Sequence, residues 1–274
     1  MGVGAGLTDA LRLFDAETHT VDVFGDVAIL STYGDDVALE PLLAKISQPT
    51  VYLKRRPREA RTSVADDVAP PVPVRGAPVE SLVAHEAGLK FEIRPPNGLS
   101  VGLYVDSAVP RAWVREHARG KTVLNLFSYT CGFGVAALAG GASRVLNVDR
   151  SRKVLDWGER NYALNGLAVE RRDFLAGDAF EWVGRLAKKG EQFDVVVLDP
   201  PSFATSDRSR FSAAKDYAGL VRSVSPLVGE TLLACCNLAA ADSRTVRGWV
   251  AQSMTVVDEL GVPAPLKVFV ARPR

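Results

Sequence analysis

Asp199, Pro200, Pro201, Ser202 and Phe203 close the apolar run FDVVVL (Phe193–Leu198). A buried strand ending in a carboxylate, two prolines and an aromatic ring brings rigid acceptors and a stacking surface to one edge of a sheet. Asp199 and the carbonyl of Pro200 can accept hydrogen bonds from an amino group, and Phe203 can stack on a flipped-out planar base. A proline-rich turn with a core Phe is the plainer alternative. Upstream, VLNLFSYTCGFG (Val123–Gly134) reads strand, glycine turn, helix start. This is where α/β sheets hold a nucleotide-like ligand. Gly132 and Gly134 are expected to let the backbone turn tightly beside that ligand, with the helix start favouring a carboxylate. The spacing Gly132-x-Gly134-x-x-Ala137 also fits a dinucleotide fingerprint, a weak signal alone. Asp149 ends the next strand, where an acid accepts from ribose hydroxyls in either ligand class. Asp178, at the following strand–helix junction, accepts from an adenine amino group or merely caps the helix.

Elements must position these residues. From Arg111 onward the pattern alternates. Strands are predicted at Val123–Phe127, Arg144–Val148, Val169–Phe174, Phe193–Leu198, Thr231–Cys236 and Leu266–Ala271. Helices are predicted at Gly134–Ala139, Arg152–Leu164, Phe180–Lys189, through Tyr217–Val224, and at Ser243–Val250. Such alternation implies a mostly parallel sheet with helices on both faces, the two final strands forming an antiparallel edge pair. Before it lie short apolar runs, Val21–Phe24, Val27–Thr32, Val51–Leu53, Leu89–Ile93 and Val101–Val105, with one amphipathic helix candidate, Asp36–Ile46. The expected division is a small α+β domain over 1–107 with a Pro/Arg-rich loop at 54–78, followed by an α/β domain over 108–274. Within that loop KRRPREAR (Lys54–Arg61) reads as a solvated stretch or a phosphate contact, and Ala69–Pro78 as extended or mobile.

Composition narrows the classes. The 274 residues are 47% hydrophobic and 24% charged, with a net charge of +1. A nucleic-acid surface would therefore be local rather than global. No apolar run reaches the roughly 18–20 residues of a membrane helix, and MGVGAGLTDALRLFD lacks the basic and apolar regions of a secretory signal. The three cysteines, Cys131, Cys235 and Cys236, form neither a disulfide framework nor a zinc motif, so no metal is expected and a cytoplasmic setting is the simplest. His19, His85 and His117 all precede the glycine loop and read as structural or surface residues.

The order and density of GLSVGLYVDS (Gly98–Ser107), VLNLFSYTCGFGVAALAGGA (Val123–Ala142), NVDRS (Asn147–Ser151), ERNYALNGL (Glu159–Leu167), GDAF (Gly177–Phe180), FDVVVLDPPSF and KDYAGL (Lys215–Leu220) resemble a class I S-adenosylmethionine-dependent methyltransferase. The likeness is to the methyltransferase domain of bacterial 23S ribosomal RNA large-subunit methyltransferases, the cytosine-C5 type and its relatives. AILSTYGDDVALEPLL and VYLKRR more loosely resemble that family's small central domain. The resemblance implies a Rossmann-like sheet with an antiparallel last strand, S-adenosylmethionine as cofactor and ribosomal RNA as partner. It implies that Phe127, Ser128, Tyr129, Thr130 and Gly132 hold the methionine end, Asp149 the ribose and Asp178 the adenine, with Arg150 and Ala179 also contacting the cofactor. Asp199 would lie near the transferable methyl, with Tyr104 and Asp106 helping to cover the cofactor.

Three departures bear on the acceptor. The family's RNA-binding PUA domain is not expected, and its Lys-Thr is Ser100-Val101 here. Alignment on Leu232-Leu233 puts Asn237 where cytosine-C5 members carry a nucleophilic cysteine. C5 of cytosine needs a thiolate added at C6 before it can be methylated. Cys236 is one residue away, and one step along a strand turns a side chain to the other face. The expected reaction is therefore methylation of a nitrogen of an RNA base, ribosomal RNA favoured. Asp199, Pro200, Phe203 and Asn237 are expected to hold the acceptor. A small-molecule or protein acceptor is the alternative, with a cytosine-C5 ribosomal RNA methyltransferase and a nicotinamide-dependent oxidoreductase less favoured; a homodimer is compatible with the sequence.

Overall fold

The computed structural model describes residues 7–34, 37–56, 68–205 and 210–274. The chain divides into two units, Met1–Val105 and Asp106–Arg274. In the first, β1 (Ala10–Asp15), β2 (His19–Phe24) and β3 (Val27–Tyr33) form an antiparallel meander. Helix α1 (Glu40–Leu43) then leads to β4 (Thr50–Arg56), which pairs parallel to β3. Val21, Val23, Ala28, Leu30, Val51 and Leu53 alternate onto one face and bury it with Ile46, the period-2 pattern of a half-covered sheet. Strands β5 (Leu82–Glu86) and β6 (Leu89–Ile93) make a hairpin. Its two turn residues, Ala87 and Gly88, have φ of 48° and 78°, the primed turn whose twist matches the strands.

Several expectations change here. The helix foreseen over Asp36–Ile46 is only the four residues of α1, with a proline in its first turn; Asp36 lies outside the described residues. Val101–Val105 is not a strand: Gly102 at φ 127° leaves the extended region, and the chain enters a 3₁₀ turn at Val105–Ser107. Lys54–Arg56 belongs to β4 rather than to a loop, since pairing with β3 continues to Tyr33 opposite Arg56. Of the remaining basic stretch, 57–67 lies outside the described residues. Arg75, further on, is a tie rather than a solvated charge: it donates to the carbonyls of Leu43, Ile46 and Gln48 at 2.8, 2.7 and 2.5 Å.

The second unit opens with α2 (Ala108–His117), then alternates β7 (Thr122–Leu126), α3 (Gly132–Ala139), β8 (Arg144–Asp149), α4 (Arg152–Leu164), β9 (Phe174–Ala176), α5 (Ala179–Lys188) and β10 (Phe193–Leu198). A short hairpin, β11 (Phe203–Thr205) with β12 (Arg210–Ser212), leads to α6 (Ala213–Val224). Then follow β13 (Val228–Cys236), α7 (Ser243–Ala251), β14 (Thr255–Leu260) and β15 (Lys267–Arg272). The sheet order is β14-β15-β13-β10-β7-β8-β9. Among these seven, β15 alone runs against the others, wedged antiparallel between β13 and β14. The antiparallel last strand is thus as expected, but its second partner, β14, was not foreseen.

Alternation along the strands fills two cores. Leu124, Leu126, Val196, Leu198, Leu232, Ala234 and Cys236 meet Val183, Leu220 and Val246 of α5, α6 and α7. Val123, Val145, Val195, Val197, Leu233 and Cys235 meet Val114 of α2 and Ala137 of α3. Both faces of the central strands are dry, which is why they read as continuous apolar runs.

Candidate active site

The chain turns back across β7 when it goes from β9 to β10, so the loops after β7 and β10 leave neighbouring carboxyl ends, with Leu126 paired to Leu198. Such a reversal opens a ligand crevice. Its first wall is Phe127–Cys131. Phe127, Tyr129 and Cys131 have φ of 58°, 48° and 61°. Left-handed backbone costs a non-glycine residue about 1–2 kcal/mol, so three such residues in five persist only if the surroundings dictate them. They do. Ser128 N–H donates to the Val148 carbonyl at 2.9 Å, Tyr129 N–H to Asp149 Oδ2 at 2.9 Å, and Asn161 Nδ2 to the Thr130 carbonyl at 3.0 Å. Cys131, fully buried, seats on Gly158 of α4, where an added Cβ would collide with its sulfur.

The turn is therefore made by Phe127, Tyr129 and Cys131, and the expected role of Gly134 is corrected. A Cβ at Gly134 would stand 2.6 Å from Asn147 Oδ1 and still closer to the Tyr162 hydroxyl. That space belongs to a buried chain in which Asn125 Nδ2 donates to Asn147 Oδ1 at 2.9 Å and Asn147 Nδ2 to the Tyr162 hydroxyl at 2.8 Å. Gly134 is glycine for packing. Sequence reasoning missed this network, although its signal was visible as one Asn inside each of two apolar strands, VLNL and VLNVD.

Asp149 ends β8 half-buried, one oxygen taking Tyr129 N–H and the other Ser151 N–H at 2.9 Å. Burial pushes its carboxyl above the usual range, against the pull of those N–H groups. Each oxygen keeps a further lone pair for a hydroxyl donor. Arg150 beside it is exposed. Asp178 caps α5 by accepting Phe180 N–H at 2.8 Å, and Ala179 behind it is buried. The Phe127 ring meets Phe180 edge-on at 6.0 Å, joining the first loop to this corner.

Asp199 begins the second wall. Burial pushes its carboxyl up to about 7, the nearby Asp106 carboxylate adds to the rise, and the Arg111 guanidinium opposes it. Asp106 and Arg111 are themselves buried, in the turn before α2 and in its first turns. Arg111 was not anticipated from the sequence. Pro200 is buried, and Ser202 Oγ donates to the Asn237 carbonyl at 2.6 Å. Asn237 stands exposed one residue past β13, level with this loop. The Phe203 ring lies outside the described side chains. Tyr104 belongs to the first unit, is exposed, and shares a 2.5 Å hydrogen bond with Ser100 Oγ. Cys235 and Cys236 fall into opposite cores, each 1% exposed. Burial raises both thiols, and that of Cys131 too, away from thiolate.

A seven-stranded sheet with one reversed strand, a strained loop after β7, an acid closing β8, and a carboxylate–proline loop after β10 define a Rossmann-like class I methyltransferase. The chain belongs to the S-adenosylmethionine-dependent methyltransferase family, whose profile matches residues 63–264. It is 32% identical, over 83% of its length, to ribosomal RNA large subunit methyltransferase K/L of Psychrobacter arcticus, of which it covers 32%. It is also 32% identical, over 73% of its length, to methyltransferase K of Neisseria meningitidis, covering 60% of it. The chain thus spans about a third of the first relative and under two thirds of the second. Among solved structures it resembles SMU.776 complexed with SAH, with TM-score 0.84 and 25% identity over 97% of this chain and 76% of that one. The cofactor is S-adenosylmethionine. Among the described residues, no helix is long and apolar enough to cross a membrane, and no cluster of His, Cys, Asp or Glu could hold a metal.

Proposed function

We propose that this enzyme methylates a nitrogen of a base in ribosomal RNA. The observation that carries the reading is the second wall: a carboxylate near neutrality at Asp199, an exposed amide at Asn237, and Cys236 turned into the apolar core. The names of the relatives support ribosomal RNA as the acceptor. Bound S-adenosylmethionine supplies an electrophilic methyl on a sulfonium centre. The residues present fit it, since the Phe127–Cys131 loop and the open N–H groups at the start of α3 suit an α-carboxylate. Asp149, with Arg150 beside it, suits the ribose; Asp178 and Ala179 suit the adenine edge; Asp106 lies next to Asp199.

On the acceptor side, Asp199 and the Pro200 carbonyl accept from an amino group and so aim the nitrogen lone pair. Asp199 then takes the proton that nitrogen gives up, which a carboxyl near pKa 7 can accept and release at neutral pH. Phe203 stacks on the base and Asn237 bonds its edge. Addition at a ring carbon would need a thiolate, and burial disfavours one at Cys235 and Cys236. We also assign the small domain to 1–107, the catalytic domain to 108–274, and the enzyme to the cytoplasm, where its substrate lies.

The test is mass spectrometry of nucleosides from ribosomal RNA of deletion and wild-type cells. One N-methylated nucleoside should be lost on deletion. An unchanged profile refutes the RNA acceptor, and loss of 5-methylcytidine returns the enzyme to the carbon-methylating class.

A further inference from the structure

Beyond Cys236, β13 has no ladder partner, because its register with β15 ends at the pair Cys236–Lys267. Carbonyls in such an exit normally face water. Here side chains from three elements take the carbonyl of Cys235, the last ladder residue but one, and those of Asn237 and Leu238 beyond the ladder. Tyr217 of α6 donates its hydroxyl to the Cys235 carbonyl at 2.7 Å. Ser202, in the loop after β10, donates to Asn237 at 2.6 Å. Lys267, the first residue of β15, donates Nζ to the Leu238 carbonyl at 2.6 Å. Asn237, the one exposed residue of 235–238, is held from both sides.

The lysine is the informative member. A half-buried ammonium gives up hydration for this one carbonyl, and the charge-assisted bond it makes there is strong enough to fix the corner. Burial does lower the Lys267 amine, partly offset by nearby Cys236 and then Asp242. Asp242 is already engaged, accepting Thr245 N–H at 2.8 Å as the cap of α7. Lys267 therefore spends its charge on the backbone of the corner that carries Asn237.

We propose that Lys267 is a positioning residue for the acceptor: with Ser202 it fixes the Asn237–Leu238 corner so that the Asn237 amide faces the Asp199–Ser202 loop. The inference rests on the acceptor reading above, which gives Asn237 its task. Lys267 does not touch the reacting atoms. It sets where Asn237 can reach, and so how well a base is held beside Asp199.

Two measurements test it. In the first, the side-chain amide signal of Asn237 is followed by ¹⁵N NMR in the full chain. Lys267→Met and Ser202→Ala should each shift or broaden it, and Lys267→Arg should restore it. In the second, kinetics use ribosomal RNA extracted from deletion cells. Lys267→Met should raise KM for RNA roughly tenfold, the loss of one charge-assisted bond, with S-adenosylmethionine affinity unchanged and Lys267→Arg recovering most of it. An Asn237 signal indifferent to Lys267→Met overturns the proposal whatever the enzyme methylates. If that variant does not fold, an Asn237 signal unmoved in Ser202→Ala overturns it. A shifted signal with wild-type enzyme inert towards the RNA leaves the positioning role standing and removes the RNA acceptor instead.

Discussion

Replacing Asp199 by Asn keeps the shape and both acceptor and donor capacity while removing the titration. The wild-type carboxyl is raised from 3.8 to about 7, with burial the largest cause and Asp106 the next. An offset of some three units corresponds to about 4 kcal/mol. Because the residue as a whole keeps some access to water although its carboxyl is buried, we take half of that, on the order of 2 kcal/mol. Protons are bound more tightly in the native state, so this stabilisation is fully present below pH 3.8 and is lost as the pH climbs through about 7. Wild-type stability should therefore fall between pH 5 and pH 8 by more than that of Asp199→Asn, and the variant should be the more stable protein at pH 8. Its kcat should drop by two orders of magnitude or more, a usual size for a lost proton acceptor. The wild-type pH–rate profile should also show an acid limb near 7 that the variant lacks. Urea unfolding at the two pH values with stopped-time methylation assays provides the readout. A variant less stable than wild type at pH 8, or a wild-type rate flat from pH 6 to 8, would refute the assignment of Asp199 as a buried, near-neutral acid.

Gly134→Ala should destabilise by roughly 1–3 kcal/mol in urea unfolding, since its Cβ would collide with Asn147 and Tyr162; Tyr162→Phe in the same chain should recover part of the loss. Lys54 is fully buried, its Nζ has no hydrogen-bond partner among the described residues, and burial with Arg56 nearby lowers its amine to about 8. Lys54→Met should consequently raise the melting temperature at pH 7, by a margin that shrinks as the pH passes 8 towards 10.5 and the wild-type amine loses its proton; an equal or lower melting temperature at pH 7 contradicts this. Cys236→Ser should cost about 1–2 kcal/mol of stability yet keep methyl transfer, and RNA carrying 5-fluorocytosine should form no covalent adduct on denaturing gels.

The strands that position the crevice were legible because both of their faces are buried. FDVVVL and VLNLF carry only two polar residues between them: Asp194 at the start of β10, which accepts the Thr122 N–H and hydroxyl, and Asn125, which marks the buried amide chain. Helix α4 was bounded correctly because Ser151 is a true N-cap, its hydroxyl accepting Val154 N–H. Strand β14 was illegible for the opposite reason. TVVDEL is an edge strand with every residue at least partly open to water, so nothing enforces alternation. The strained loop was invisible for a different cause. Residue type gives no warning that Phe127, Tyr129 and Cys131 adopt left-handed backbone, because Asp149, Asn161 and Gly158 impose it from other elements. Lys267 and Arg111 escaped notice because their partners are remote in sequence.

The wedged position of β15 sets an order of assembly. Strands β7 to β10 follow one another closely along the chain and can zip together as they are made. The pair β13 and β14 cannot meet, since the residues that join them come later and must slide between. A nascent chain that has not yet produced Lys267–Arg272 exposes two unpaired strand edges and leaves the Leu238 carbonyl without its donor. On the proposed assignment of the site, the loops after β7 and β8 precede that strand in the chain, while the Asn237–Leu238 corner waits for it.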